Sequence, residues 1–236
     1  MREDRSADTL RPIHVELGVN RWAEGSALVT WGDTRVHATV TIDDRLPPHL
    51  RGAKTREGWL TAEYALLPRA TETRRARERL YTGGRSQEIQ RFLGRALRSA
   101  VDLTAFPKKT LMVDVDVLQA DGGTRCAGVL AGYAALHQLA DRAIRDGSLA
   151  EWPLSHTLGA VSVGLVDGQP LTDLDYREDE AASLDLNVVA TAGGQLVEVQ
   201  GGSEHAPIDA ETYVTLVGRG VRAVQTLLDA VAPSFA

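Results

Sequence analysis

The chain contains one cysteine, Cys126. A single thiol excludes an internal disulfide framework and any zinc site built on cysteines. The six histidines are scattered, and no two stand at ligand spacing beside further ligands. No run comes near the roughly 18 apolar residues that mark a membrane-spanning helix. The opening residues "MREDRSADTLRP" have no apolar stretch of the kind a secretory signal needs. A cytoplasmic protein with no membrane partner is the expectation. Lysine is almost missing too, occurring only at Lys54, Lys108 and Lys109.

What is present is ordinary in bulk and uneven in distribution. The 236 residues, 43% hydrophobic and 25% charged, are enough for one substantial core. The net charge of −6 argues against a nucleic-acid partner, but the charges are segregated. Residues 69–98 hold nine arginines against three glutamates, whereas residues 167–185 hold seven acids against one arginine. Either block is first read as a solvated face. The basic block, however, contains no lysine, and guanidinium is the group of choice where phosphate or carboxylate is gripped in a planar, two-point way.

Hydrophobic periodicity orders the chain. "IHVELGV" and "SALVTWGDTRVHATVTI" alternate as strands, with a hairpin turn at Gly32-Asp33, and "WLTAEYALL" reads as another strand. Residues 69–84 read as a mobile polar loop ending in Gly83-Gly84. Ile89, Phe92, Leu93, Ala96, Leu97 and Ala100 fall at helical spacing, with Arg91, Arg95 and Arg98 mostly off that stripe. "TLMVDVDVLQ" is a strand with its valines on one face and Asp114 and Asp116 on the other. A small-residue helix over about 123–145 follows, then two hairpins, and Asp209 caps a last helix. The order implies an α+β or mixed α/β fold of sheets with packed helices, in one domain of two echoing halves, about 1–150 and 151–236.

Three stretches could carry chemistry. "DGGTR" places Gly122, Gly123, Thr124 and Arg125 where a strand gives way to a helix. Unpaired amides, the helix dipole, a hydroxyl and a fixed charge there suit a phosphate-sized anion, although a tight turn demanding glycine explains the pattern equally well. "GGRS" repeats the arrangement with Arg85, and Ser86 can cap. "DLDYREDEAASLDLN" clusters carboxylates that would repel one another without a cation. Asp185 and Asn187 share one strand face, and Asp179 near a bend can reach the same spot, as a magnesium or manganese site needs; a solvated loop is the competing reading. Cys126 reads as a small buried residue, and His137 with Asp141 as a structural pair one helical turn apart.

Together, "GWLTAEYALLPRAT", "GRSQEIQRFLGRALR", "DVLQADGGTR", "AVSVGLVDG" and "LDLNVVAT" resemble, in order, the bacterial ribonuclease PH family. The resemblance covers nearly the whole chain. It implies a duplicated ribosomal-protein-S5-like fold, a homohexamer built as a trimer of dimers, and phosphorolysis of the 3′ end of tRNA precursors with inorganic phosphate as co-substrate and a divalent metal as cofactor. By the same resemblance the phosphate site falls on Arg85, Gly123, Thr124 and Arg125. The catalytic or metal-binding carboxylates fall on Asp179 and Asp185, and the RNA contacts on Arg69, Arg74 and Arg77, with Arg91 as a fourth. The arginine loop before Gly84 is about two residues shorter than the family's, and Cys126 stands where threonine is usual. Two rival readings are a non-catalytic RNA-binding ring subunit and a phosphorolytic ribonuclease acting mainly on other RNA.

Overall fold

A computed structural model describes residues 2, 5–50, 52, 56–77, 83–203 and 206–235. The first sheet is formed by β1 (Ile13–Leu17), β2 (Gly25–Trp31), β3 (Thr34–Asp43), β4 (Trp59–Leu66) and β5 (Thr110–Gln119), in the order β1-β2-β3-β5-β4. Its one parallel pair, β4 with β5, is connected through α1 (Gly84–Ala100). The second sheet has the order β7-β6-β8-β9, from β6 (Leu158–Val166), β7 (Gln169–Thr172), β8 (Leu184–Thr191) and β9 (Leu196–Ser203). Three more helices complete the fold: α2 (Thr124–Arg145), α3 (Tyr176–Ala181) and α4 (Ala210–Val231).

The alternation read from sequence is what the sheets use. Val113, Val115 and Val117 are buried while Asp114 and Asp116 lie on the outer face of β5. The hairpin of β6 and β7 turns at Asp167-Gly168, with φ of 51° and 72°, the doubly left-handed backbone that lets two residues reverse a twisted pair. All six apolar positions expected to face inward on α1 are buried.

The helix α2 sits between the sheets. It packs on β2, β3 and β5 on one side and on β6 and β8 on the other, so every residue from Cys126 to Leu136 is buried. That position explains its small side chains and those of its neighbours. A Cβ on Gly25 of β2 would stand 2.1 Å from the carbonyl oxygen of Ala135, and one on Gly132 would stand 2.9 Å from Leu97 of α1. Either substitution would force the helix outward. The apolar core runs without a break from Val29 and Val115 of the first sheet through α2 to Val161 and Val189 of the second. A smaller cluster of Leu184, Leu186, Val188 and Leu216 lies beneath α4.

Two details differ from the sequence reading. The acidic stretch is not only a loop: Tyr176–Ala181 is a helix, started by a reciprocal cap in which Asp175 accepts from the Glu178 amide and Glu178 accepts from the Asp175 amide. His137 is structural, but Asp141 bonds Arg145 at 3.0 Å instead. The imidazole of His137 lies 4.9 Å from the rings of Trp152 and Phe235, and burial lowers its pKa. Of the loop expected at 69–84, residues 78–82 lie outside the described residues.

Candidate active site

Helix starts divide into two kinds in this fold. α3 and α4 are capped by Asp175 and Asp209, whose carboxylates accept from first-turn amides. α1 and α2 instead begin after Gly83 and Gly123, and neither has a side-chain cap among the described residues. Ser86 does not stand at the cap position of α1: the helix begins at Gly84 with Gly83 as its N-cap, so Ser86 is its third residue. An aspartate cap is worth about 1 kcal/mol to a helix. At α2 its omission leaves the positive end of the helix dipole without a capping side chain among the described residues.

The two uncapped ends meet. The hydroxyl of Tyr64 on β4 donates to Thr124 Oγ1 at 2.9 Å, and Arg125 on the first turn of α2 bonds Glu88 of α1 at 2.9 Å. Burial pushes the Tyr64 phenol up; the bond to Thr124 and the charges of Arg85, Arg125 and Arg75 oppose the rise. Three guanidinium charges thus act on the buried Tyr64 hydroxyl, whose partner Thr124 is half-buried. Arg85 is exposed, while Arg125 Nε is a buried donor with no acceptor among the described residues. The glycines of the turn have left-handed backbones, φ 70° at Gly122 and 65° at Gly123. A Cβ on Gly122 would stand 2.5 Å from the Asp175 carbonyl carbon, so this turn also touches the start of α3. The tight-turn explanation of "GGTR" holds, and the helix after it has no side-chain cap among the described residues.

The second half supplies the opposite wall. On β8, Leu184, Leu186 and Val188 face α4, while Asp185 and Asn187 face α2, as their alternation predicts. Asn187 Oδ1 accepts from the Cys126 thiol at 3.2 Å, which places this carboxylate-bearing face against the first turn of α2. Asp185 is half-buried, and Asp179 on α3 is exposed. Asp179 is near enough for its charge to act on Cys126. Burial raises the Cys126 pKa far above the ordinary thiol range, so it is no nucleophile. Among the described residues no group of three or more His, Cys, Asp or Glu is arranged to hold a metal ion.

Much of the acidic stretch is neutralised by arginines from the N-terminus, which the sequence reading missed. Arg2 and Arg5 bond Glu178 at 2.6 and 3.0 Å, and Arg5 and Arg11 bond the buried Asp173 at 3.1 and 2.7 Å. Burial alone would raise the Glu178 pKa; the bond from Arg2 and the charges of Arg2 and Arg5 outweigh it and hold the carboxyl below its usual range. Tyr64, Arg75 and Glu88 were missed as well, and no local motif marks them.

The four arginines expected to contact RNA occupy two surfaces. Arg69, Arg74 and Arg77 are exposed on a loop whose base is tied down by a bond from the Ala120 amide to the Ala70 carbonyl at 2.8 Å. Ala120 directly precedes Asp121 of "DGGTR", so this loop leaves the sheet beside the Gly122-Gly123 turn. Arg91 lines a separate groove between α1 and β4, together with Trp59, Arg95 and Arg98. There Arg98 lies 4.7 Å from the Trp59 ring, and Arg95 is held by Glu198.

This arrangement agrees with three kinds of similarity. The two domains of the 3′ exoribonuclease family match residues 9–140 and 156–222. The ribonuclease PH of Deinococcus radiodurans is 55% identical over all 236 residues and 95% of its own length, and that of Moorella thermoacetica is 45% identical over 95% of this chain and 90% of its own. Among solved structures, an Archaeoglobus fulgidus exosome chain, described with RNA bound to the active site, superposes with a TM-score of 0.81 at 25% identity over 95% of this chain and 90% of its own. Rice (Oryza sativa) Rrp46 shares the fold, with a TM-score of 0.79 at 21% identity over 99% of both chains. With both family domains matched in order and more than half the residues of a full-length relative shared, the chain belongs to the 3′ exoribonuclease (ribonuclease PH) family.

Proposed function

We propose that the chain is a phosphate-dependent 3′→5′ exoribonuclease that trims the 3′ end of tRNA precursors and releases nucleoside diphosphates. One observation carries the reading. The start of α2 has no side-chain cap among the described residues, the charges of Arg85, Arg125 and Arg75 act on Tyr64, which bonds Thr124, and Arg125 keeps a buried donor without an acceptor among the described residues. That is a site for a small tetrahedral anion, not for a side-chain nucleophile.

In this mechanism inorganic phosphate is the nucleophile. Arg85, Arg125, the Thr124 hydroxyl and the amides after Gly123 hold it. One phosphate oxygen attacks the phosphorus of the last phosphodiester. The bond from that phosphorus to the 3′ oxygen of the shortened RNA breaks, that oxygen takes a proton, and the released nucleotide carries the attacking phosphate as its β-phosphate. Two anions must approach each other, and the guanidinium groups and amides offset the repulsion while fixing the line of attack. The reverse reaction, addition from diphosphates, uses the same site.

Asp179 and Asp185 are the residues that would hold a divalent metal, magnesium or manganese. Two carboxylates without a fuller cage fit this use, since magnesium commonly takes one or two carboxylates and completes its shell with water and substrate phosphate oxygens. Such an ion supplies neutralisation of charge on the scissile phosphate and the departing oxygen. Arg69, Arg74 and Arg77 grip the RNA backbone away from the reaction, and Arg91 extends the contact along α1. The working form is a homohexamer, a trimer of dimers; Trp22, Tyr176, Leu196 and Val214 are large exposed side chains available for such contacts. No helix among the described residues is long and apolar enough to cross a membrane, which supports a cytoplasmic location.

The test is incubation of an RNA bearing a synthetic 3′ tail with and without inorganic phosphate, separating diphosphates from monophosphates. Diphosphate release that requires phosphate is expected. Monophosphate release in its absence overturns the reading. Light scattering should give a particle near six times 25.5 kDa.

A further inference from the structure

We infer that Arg11 and Asp173 form a positioning pair that sets the phosphate loop and the carboxylate helix at their working distance. The inference rests on the function proposed above. Arg11 precedes β1 and is 8% exposed, and Asp173 lies between β7 and α3 and is 1% exposed. Their join is a two-point fork: Arg11 Nε and Nη2 donate to the Asp173 carboxylate at 3.1 and 2.7 Å, and the Arg11 amide adds a third bond at 2.6 Å.

The rest of the guanidinium does something an ordinary ion pair does not. Nη1 donates to the carbonyl of Asp121, two residues before Gly123, and Nη2 donates at 3.3 Å to the carbonyl of Leu174, next to the cap of α3. One planar group therefore grips the main chain of the turn that presents Thr124 and Arg125, and the main chain of the loop that starts the helix bearing Asp179. The first comes from the family's first domain and the second from its other domain, 162 residues apart in the case of Arg11 and Asp173. The contact is close enough that a Cβ on Gly123 would stand 3.0 Å from Arg11 Nη2.

Asp173 is in turn overdetermined. Its backbone is left-handed, with φ 57°, unusual for a residue with a side chain. Trp31 Nε1 and Arg5 Nη1 donate to its carboxylate at 3.0 and 3.1 Å. Burial works against the Arg11 charge, but the bond to Asp173 and the charges of Asp173, Asp121 and Asp175 outweigh it, so the guanidinium stays charged. A buried ion pair is a poor means of stabilisation, because apolar residues of similar volume often do as well or better. What a fork offers beyond stability is direction.

Arg11→Lys keeps the charge and loses the planar fork; Asp173→Asn keeps the shape and loses the charge. For each, phosphate affinity is measured by calorimetry without RNA or metal. The KM for phosphate, the half-saturating magnesium concentration in phosphorolysis, RNA affinity without phosphate, and the melting temperature complete the set. In both variants phosphate affinity should fall and the magnesium requirement should rise, each by about tenfold or more, with RNA affinity within about twofold of the parent. A lower melting temperature with unchanged phosphate and magnesium dependence overturns the inference, because that is what a fold clamp alone would give. So does a rise in only one of the two requirements, or failure of both variants to fold. The unsubstituted enzyme in the same assay keeps the two claims apart: phosphate-independent monophosphate release from it would defeat the function itself, whatever the variants do.

Discussion

Arg125→Lys tests the phosphate site most directly. Arg125 already spends Nη2 on Glu88 at 2.9 Å, which fixes the guanidinium plane and leaves the buried Nε with no acceptor. In the proposed site, phosphate beside Thr124 would complete that plane through a charge-assisted bond. Lysine keeps one positive charge on a shorter reach and cannot serve Glu88 and the anion with the same geometry. Hydrogen bonds to charged groups contribute about 1.5–3 kcal/mol. At roughly 1.4 kcal/mol per factor of ten, losing one such bond should raise the KM for phosphate about 10- to 100-fold. Initial rates across a phosphate series at saturating RNA measure this, and filter binding of RNA without phosphate provides the control. RNA affinity should hold, because Arg125 lies at the anion-facing turn and not on the loop of Arg69, Arg74 and Arg77. An unchanged phosphate KM accompanied by weaker RNA binding would refute the assignment and move Arg125 to the RNA-binding surface.

Three further outcomes follow from the same geometry. Asp179→Asn and Asp185→Asn should each lower phosphorolysis by about 10²-fold or more, the scale of one lost transition-state contact; the reverse polymerisation, assayed with diphosphates, should fall in proportion, and near-normal activity at limiting magnesium would return the stretch to a solvated acidic surface. Replacing Arg69, Arg74 and Arg77 together with alanine should weaken tRNA binding and flatten its salt dependence, by roughly 0.7–0.9 in log–log slope for each phosphate contact removed, while a very short oligonucleotide is cleaved much as before; equal losses on both would place these residues in the active site. Expressed alone, residues 1–150 should fail to give a cooperative melting transition, because the face of α2 that packs on β6 and β8 would be exposed; a sharp transition would show two independently stable halves.

The elements that the sequence announced are those in which a repeating apolar pattern meets a single buried face. The strands around Val113–Val117 and the stripe from Ile89 to Ala100 on α1 are of this kind. The short α3 was missed because its six residues are too few for a stripe, although Asp175 and Glu178 stand at capping-box spacing. In the site, Gly123, Thr124 and Arg125 were legible because glycine, hydroxyl and charge fall together at one strand-to-helix junction. Tyr64 was not, since its hydroxyl meets Thr124 across 60 residues and nothing beside it in the chain marks the contact. The pairing of the N-terminal arginines was not legible for the same reason: their partners, Asp173 and Glu178, lie more than 160 residues away.

α2 starts without a side-chain cap among the described residues, so phosphate held there, as proposed, would link the stability of the folded chain to its co-substrate. An anion that binds only the native state stabilises it by RT ln(1 + [L]/Kd), about 1.4 kcal/mol at ten times the dissociation constant. For a protein of this size that is roughly 3–6 °C in melting temperature. If phosphate binds at the start of α2 as proposed, phosphate supply becomes a determinant of how long the enzyme survives. A cell depleted of phosphate would lose the reaction twice over, first through an unfilled nucleophile site and then through faster turnover of a less stable protein.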